Sequence, residues 1–189
     1  MNTELSVEEL IDPLQTVIGV VEKKQSLPIL SHVLIQLKDQ ILTLTTTDME
    51  LEISASSTIK SSEEVLFTIY AKDLIDIVRR LPEKTKLQFI IEEKKIYLSA
   101  NNNTFELNTF NHLDFPTLPK TDNSTVVTVK QEDLKSAIEN TSFSMGSQDI
   151  RAYLNGLYFE LNKDSLTVVA TDGHRLSIGE IKQTNKLDE

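Results

Sequence analysis

Leu42-Thr43-Leu44-Thr45-Thr46-Thr47-Asp48 comes back 124 positions later as Leu166-Thr167-Val168-Val169-Ala170-Thr171-Asp172. The same displacement lays Leu30 on Leu154, Val33 on Leu157, Ile35 on Phe159 and Leu37 on Leu161, without a gap. Scattered apolar matches are common by chance. A Thr-Asp pair closing the same apolar run is much less so, and the chain is therefore read first as a repeat protein. A further copy lies between the two. Leu10, Leu74 and Leu134 align at offsets of 64 and 60, each directly after an acidic residue (Glu9, Asp73, Asp133), in a segment that reads as a short strand entering a helix.

Each copy has the same periodicities. The first helix carries Val7, Leu10, Ile11, Leu14 and Val17 at helical spacing, and the second Leu74, Ile75, Val78 and Leu81, which is one buried stripe per helix. Pro13 inside the first is expected to bend it or to shorten its hydrogen bonding. Three strand-like runs follow each helix: 29–37, 41–46 and 49–58 in the first copy; 87–91, 96–99 and 104–109 in the second; 154–161, 166–170 and about 174–181 in the third. In the last run of the first copy Leu51, Ile53 and Ala55 alternate with Glu52, Ser54 and Ser56. Lys94–Lys95 and Asn101–Asn103 read as turns.

A strand, a helix and three strands leave one apolar sheet face and one apolar helix stripe, and two such copies bury both in one α+β domain. Asp114-Phe115-Pro116-Thr117-Leu118-Pro119-Lys120 has two prolines and no period, and reads as a linker. The organisation expected is a two-copy domain over 1–120, a linker at 121–125, and one copy over 126–189 that forms half of a second domain.

Composition limits the chemistry. The 189 residues are 39% hydrophobic and 25% charged, with no cysteine and a net charge of -10. No run approaches the roughly 20 apolar residues of a membrane helix, and Met1-Asn2-Thr3-Glu4-Leu5 lacks the basic start and apolar run of a secretory leader. The chain reads as cytoplasmic. The acidity excludes a strongly basic binder of nucleic acid, but not a protein that holds DNA by surrounding it with few phosphate contacts. His32, His112 and His174 are not at metal-ligand spacing. Asp48 and Asp172 are repeat-equivalent, so they are expected in separate copies, bonding turn backbone. Five glycines form no phosphate-binding loop, and Ser144 and Ser147 have no acid-base pair nearby. No enzyme, no metal site and no cofactor are expected.

Several motifs now resemble one family. Leu27-Pro28-Ile29-Leu30, Thr45-Thr46-Thr47-Asp48-Met49-Glu50, Asp114-Phe115-Pro116, Tyr153-Leu154-Asn155-Gly156 and above all Ala170-Thr171-Asp172-Gly173-His174-Arg175-Leu176 are similar to the bacterial DNA sliding clamps, the β subunits of DNA polymerase III. The resemblance runs along the whole chain. It implies the DNA-clamp fold, with three domains of two copies each per protomer, two protomers closing a homodimeric ring, helices lining the hole and sheets forming the wall. This chain carries three copies rather than six. The resemblance thus implies an incomplete protomer of a processivity factor, lacking the third domain.

The resemblance also assigns roles. Leu154, Thr171, Gly173, His174, Arg175 and Leu176 match the second-domain half of a cleft that takes peptides of the polymerase, clamp loader and other clamp-binding proteins. Leucines suit an apolar anchor, Gly173 allows close backbone approach, and Arg175 can reach peptide carbonyls. The plain alternative is a glycine turn with a surface histidine. Lys24, Arg79, Gln148 and Tyr153 match positions facing duplex DNA, where contacts would be loose and sequence-independent. Ala152 stands where some relatives carry an aromatic residue. Phe105 and Leu107 match an apolar pair at the ring interface, and core packing accounts equally well for either. A different outcome is a non-encircling fragment that binds clamp-partner peptides or a full-length clamp. No membrane partner is expected.

Overall fold

The computed structural model describes residues 2–21, 27–60, 63–118 and 127–183, which fall into two compact units, 1–120 and 121–189. In the first unit β1 (Asn2–Ser6) runs into α1 (Val7–Val17), and β2 (His32–Lys38), β3 (Ile41–Thr47) and β4 (Glu52–Thr58) follow as an antiparallel meander. The pattern recurs as β5 (Val65–Tyr70), α2 (Ala71–Val78), β6 (Lys86–Ile91), β7 (Lys95–Ala100) and β8 (Asn103–Asn108). The second unit holds α3 (Gln131–Thr141), β9 (Tyr158–Asn162), β10 (Ser165–Thr171) and β11 (Leu176–Lys182).

The two copies in the first unit exchange their leading strands. The sheet orders are β4-β3-β2-β5 and β1-β6-β7-β8. Ile69 and Phe67 of β5 stand opposite Val33 and Ile35 of β2, while Leu5 and Thr3 of β1 stand opposite Leu87 and Phe89 of β6. α1 packs against α2, and Leu10, Leu14, Ile35, Leu74 and Leu98 are each 0% exposed in the core they share. α1 begins with a capping box. The Ser6 hydroxyl accepts from the Glu9 N–H at 3.3 Å, and the Glu9 carboxylate accepts from the Ser6 N–H at 2.7 Å. α1 is continuous through Pro13. That proline has no N–H for the Glu9 carbonyl one turn earlier, and the Ser57 hydroxyl donates to this carbonyl instead, at 3.3 Å.

The displacement of 124 holds as structure. α1 maps onto α3, β3 onto β10 and β4 onto β11 with identical bounds. Ile35 opposite Leu44 becomes Phe159 opposite Val168, and Thr47 opposite Glu52 becomes Thr171 opposite Leu176. Only β9 is shorter, starting two residues later than the match of β2. The reason is visible in the ladders: His32 and Val33 of β2 pair with β5 alone, and β9 has no such neighbour among the described residues.

Several strand limits differ from the sequence reading. Pro28–Ser31 and Ala152–Asn155 are 3-10 turns that bury Leu30 and Leu154, so the strands begin at His32 and Tyr158 rather than at 29 and 154. An apolar run buried by a turn has no period to betray it. Met49 lies at φ 79 in a turn, and Leu51 is 52% exposed, out of line with Ile53 and Ala55, which pack on the core. β11 likewise starts at Leu176, and Lys95 belongs to β7. The expected linker at 121–125, like Pro119 and Lys120, lies outside the described residues.

Candidate functional site

The turn from β10 to β11 is built by its own side chains. The Thr171 hydroxyl accepts from the Gly173 N–H at 3.1 Å and donates to the Arg175 carbonyl at 2.7 Å. Asp172 Oδ1 accepts from the N–H groups of His174 and Arg175 at 2.9 and 3.0 Å, and Oδ2 from Arg175 Nε at 3.0 Å. Those backbone donors, with the guanidinium behind them, hold the Asp172 carboxyl below its ordinary range. The first copy makes the same turn: Asp48 accepts from Glu50 and Leu51, and Thr47 from Met49. The two aspartates therefore shape equivalent turns in separate copies. At the left-handed position the third copy has Gly173, at φ 87, where the first has Met49. Glycine suits that position because φ 87 strains any residue with a Cβ, a strain Met49 bears in the first copy.

Arg151 was missed in the sequence reading, and it ties a second loop to this turn. Its Nε and Nη2 donate to the two Asp149 carboxylate oxygens at 3.1 and 2.9 Å, and its N–H donates to Asp149 Oδ1 at 2.8 Å. The guanidinium and the backbone N–H of Arg151 draw the Asp149 carboxyl down to about 2. Asn155 closes the loop, its Oδ1 accepting from the Asp149 N–H and its Nδ2 donating to the Asp149 carbonyl, both at 2.9 Å. An open groove of about 780 Å³ lies between loop and turn, lined by Met145, Gln148, Ile150, Arg151, His174 and Arg175 among others. Arg175 also lies over the Phe143 ring, 5.9 Å from its centroid. An Asp-x-Arg spacing followed by Asn is all that the sequence offered as a signal for this lock.

The residues expected to form a peptide cleft fall into two groups. His174 and Arg175 line the groove, and Leu176 is 59% exposed at the head of β11. Leu154 is buried, while Thr171 and Gly173 make the turn rather than the groove wall. Gln148, matched by sequence to DNA contact, lies in the same groove, at φ 57. Tyr153 is 77% exposed. Arg79 follows the last turn of α2 and is exposed with Lys72, Asp76 and Arg80, opposite buried Leu74, Ile75 and Val78. Lys24 lies outside the described residues.

Phe105 and Leu107 share one face of the edge strand β8, opposite Leu98 and Ile96. Leu107 is 7% exposed and part of the core, whereas Phe105 is half-buried. Beside them a groove of about 500 Å³ is lined by Ile77 of α2 and by Arg80 just beyond its end. Among the described residues no three His, Cys, Asp or Glu groups are placed to hold a metal ion, and no helix is long and apolar enough to cross a membrane.

Residues 1–119 match the family described as DNA polymerase III beta subunit, N-terminal domain, and residues 128–189 match its central domain. The chain belongs to the DNA polymerase III beta subunit family. It is similar to the beta sliding clamp of Pseudomonas putida, 38% identical over 94% of this chain and 49% of the relative. With the beta sliding clamp of Escherichia coli it is 38% identical over 90% of this chain and 47% of the relative. The crystal structure of the DNA polymerase III subunit beta from Pseudomonas aeruginosa superposes with a TM-score of 0.93 at 37% identity, over 100% of this chain and 52% of that one. The chain thus spans about half the length of the curated relatives it matches.

Proposed function

We propose that the chain acts as the N-terminal half of a DNA sliding clamp, a processivity factor that surrounds duplex DNA and tethers the replicative polymerase and other clamp-binding proteins in the cytoplasm. It works by binding rather than by catalysis, and needs no cofactor. Agreement with a polymerase III beta subunit over the whole chain, at TM-score 0.93, is the observation that carries this reading. Arg79, Gln148 and Tyr153, with Lys24, are assigned to loose contacts with duplex DNA, which suit a protein that slides. The net charge of -10 suits the same task, since it disfavours DNA on any other face. Leu154, Thr171, Gly173, His174, Arg175 and Leu176 are assigned to peptide capture, and Phe105 with Leu107 to the ring joint.

A second reading is favoured by the groove at 145–151 and 172–175, which this chain builds from its own residues: a fragment that takes clamp-partner peptides without surrounding DNA. Two measurements separate the readings. A leucine- and phenylalanine-bearing clamp-binding peptide is titrated by fluorescence anisotropy, and Arg175→Ala is expected to weaken it about tenfold, or 1.4 kcal/mol. The chain is then loaded on nicked circular DNA. Retention at high salt that is lost on linearisation supports encirclement. Peptide binding without retention supports the second reading, and absence of both overturns the two together.

A further inference from the structure

Asn155-Gly156 is the one Asn-Gly pair in the sequence, and Asp172-Gly173 the one Asp-Gly pair. Glycine hinders its own nitrogen least, because it carries no Cβ. An Asn or Asp side chain just before it can therefore close on that nitrogen to give a five-membered succinimide. Both pairs stand at the same groove. Asp172 lines it, and Asn155 closes the loop that forms its other wall.

The structure treats the two pairs differently. At Asp172 both reacting groups are engaged. The carboxylate accepts from the N–H groups of His174 and Arg175 and from Arg175 Nε, and the Gly173 N–H donates to the Thr171 hydroxyl. The same donors keep the carboxyl ionised, and an ionised carboxylate is a poor electrophile. At Asn155 only the electrophile is engaged. Its amide is held at both ends by Asp149, Oδ1 accepting from the N–H and Nδ2 donating to the carbonyl, both at 2.9 Å. The Gly156 N–H has no hydrogen-bond partner among the described residues, and a Cβ placed on Gly156 would meet nothing within 4 Å. Asn155 and Gly156 are both exposed, so water reaches the pair. Asp149 is thus what keeps amide and nitrogen apart, and Asp149 is itself held by the guanidinium and the N–H of Arg151.

We propose that Asn155-Gly156 is a deamidation site that the Arg151 to Asp149 lock keeps closed, and that converts when this loop opens. The Gly156 nitrogen forms a bond to Asn155 Cγ and loses its proton, while the Cγ–Nδ2 bond breaks and ammonia leaves. Water then opens the succinimide at either carbonyl and gives aspartate or isoaspartate at 155. Neither product restores the loop. Aspartate sets a carboxylate oxygen against the Asp149 carbonyl, where an N–H group stood. Isoaspartate adds a backbone carbon beside the Leu154 carbonyl, which accepts from the Gly146 N–H at 2.8 Å. Each conversion removes one chain from the groove-bearing population, and the fraction converted records how often the loop has opened.

The test incubates the full chain at pH 8, digests it after lysine, and follows fragment 136–163 for a gain of one mass unit located at residue 155. The folded chain should convert at least about tenfold more slowly than the same chain unfolded in urea. Arg151→Ala should speed conversion in the folded chain at least about threefold, with far-UV circular dichroism unchanged, which separates an opened loop from an unfolded unit. Gly156→Ala adds a methyl group that meets nothing, so it should fold like the parent. It should suppress conversion at 155 both folded and in urea, a readout independent of how Arg151→Ala behaves. Equal rates in the folded and unfolded chains overturn the proposal. So does an Arg151→Ala chain that converts no faster than the parent, or a Gly156→Ala chain that converts as fast.

Discussion

His32 is 3% exposed, with its ring edge-on to Phe110 at 4.7 Å and to Tyr70 at 5.9 Å between centroids. Its Nδ1 has no hydrogen-bond partner among the described atoms. Burial alone pushes its pKa from 6.5 down to about 4. The folded chain therefore holds this ring neutral where the unfolded chain would protonate it. The unfolded state binds more protons, so stability is full above pH 6.5 and falls as the pH drops toward about 4, by on the order of 3 kcal/mol. Urea denaturation at pH 7 and pH 4.5 checks this. His32→Phe should flatten the difference, and an unchanged difference would place its origin elsewhere. None of this was legible in the sequence, where His32 was only one of three histidines. The Arg151 to Asp149 lock lies within one loop, and its one sequence signal, an Asp-x-Arg spacing followed by Asn, does not specify that these side chains meet. The Thr-Asp turn was legible, because both its hydrogen-bonding side chains are adjacent in sequence and recur at a fixed displacement.

At the scale of elements, the capping box at α1 shows how local chemistry sets a boundary. Ser6 and Glu9 satisfy two backbone groups that the helix cannot. Neither α2 nor α3 has a side-chain cap: Tyr70 and Lys130 hold the equivalent places. Ser6→Ala should cost about 1 kcal/mol of the first unit's stability, read as a lower urea midpoint with unchanged slope, and Ser6→Asp should recover most of it. Helices were readable from their apolar stripes because nearly every stripe residue is buried. Strand starts were read too early at 29, 49 and 154 for one physical reason. Each of those segments is a turn placed by tertiary contact or a left-handed residue, and hydropathy does not distinguish such a turn from strand.

For the whole molecule, the two units differ in how complete their cores are. The first shares one core between two copies of the repeat, whereas among the described residues the second encloses four buried apolar residues in its cluster. Amides of β9 and β10 should exchange at least about tenfold faster than those of β2 and β6, measured where light scattering gives the 21.4 kDa single chain. Equal protection would mean that α3 alone is sufficient cover. The paired organisation of the first unit was legible from offsets of 64 and 60, because a copy with an apolar stripe and an apolar sheet face has to meet another. Which strands cross between copies was not, since β1 and β5 read alike whether they stay or are exchanged.

The uniform displacement of 124 also has a practical side. From α1 to the end of β4, and from α3 to the end of β11, the element bounds keep that displacement everywhere except at the start of β9, which comes two residues late. Residues 7–58 and 131–182 thus correspond position by position as candidate cassettes for exchange. A chimera carrying the later cassette in the earlier place keeps the total length and the β3–β4 register. Such a chimera would separate what the side chains of a copy contribute from what its place in the chain contributes.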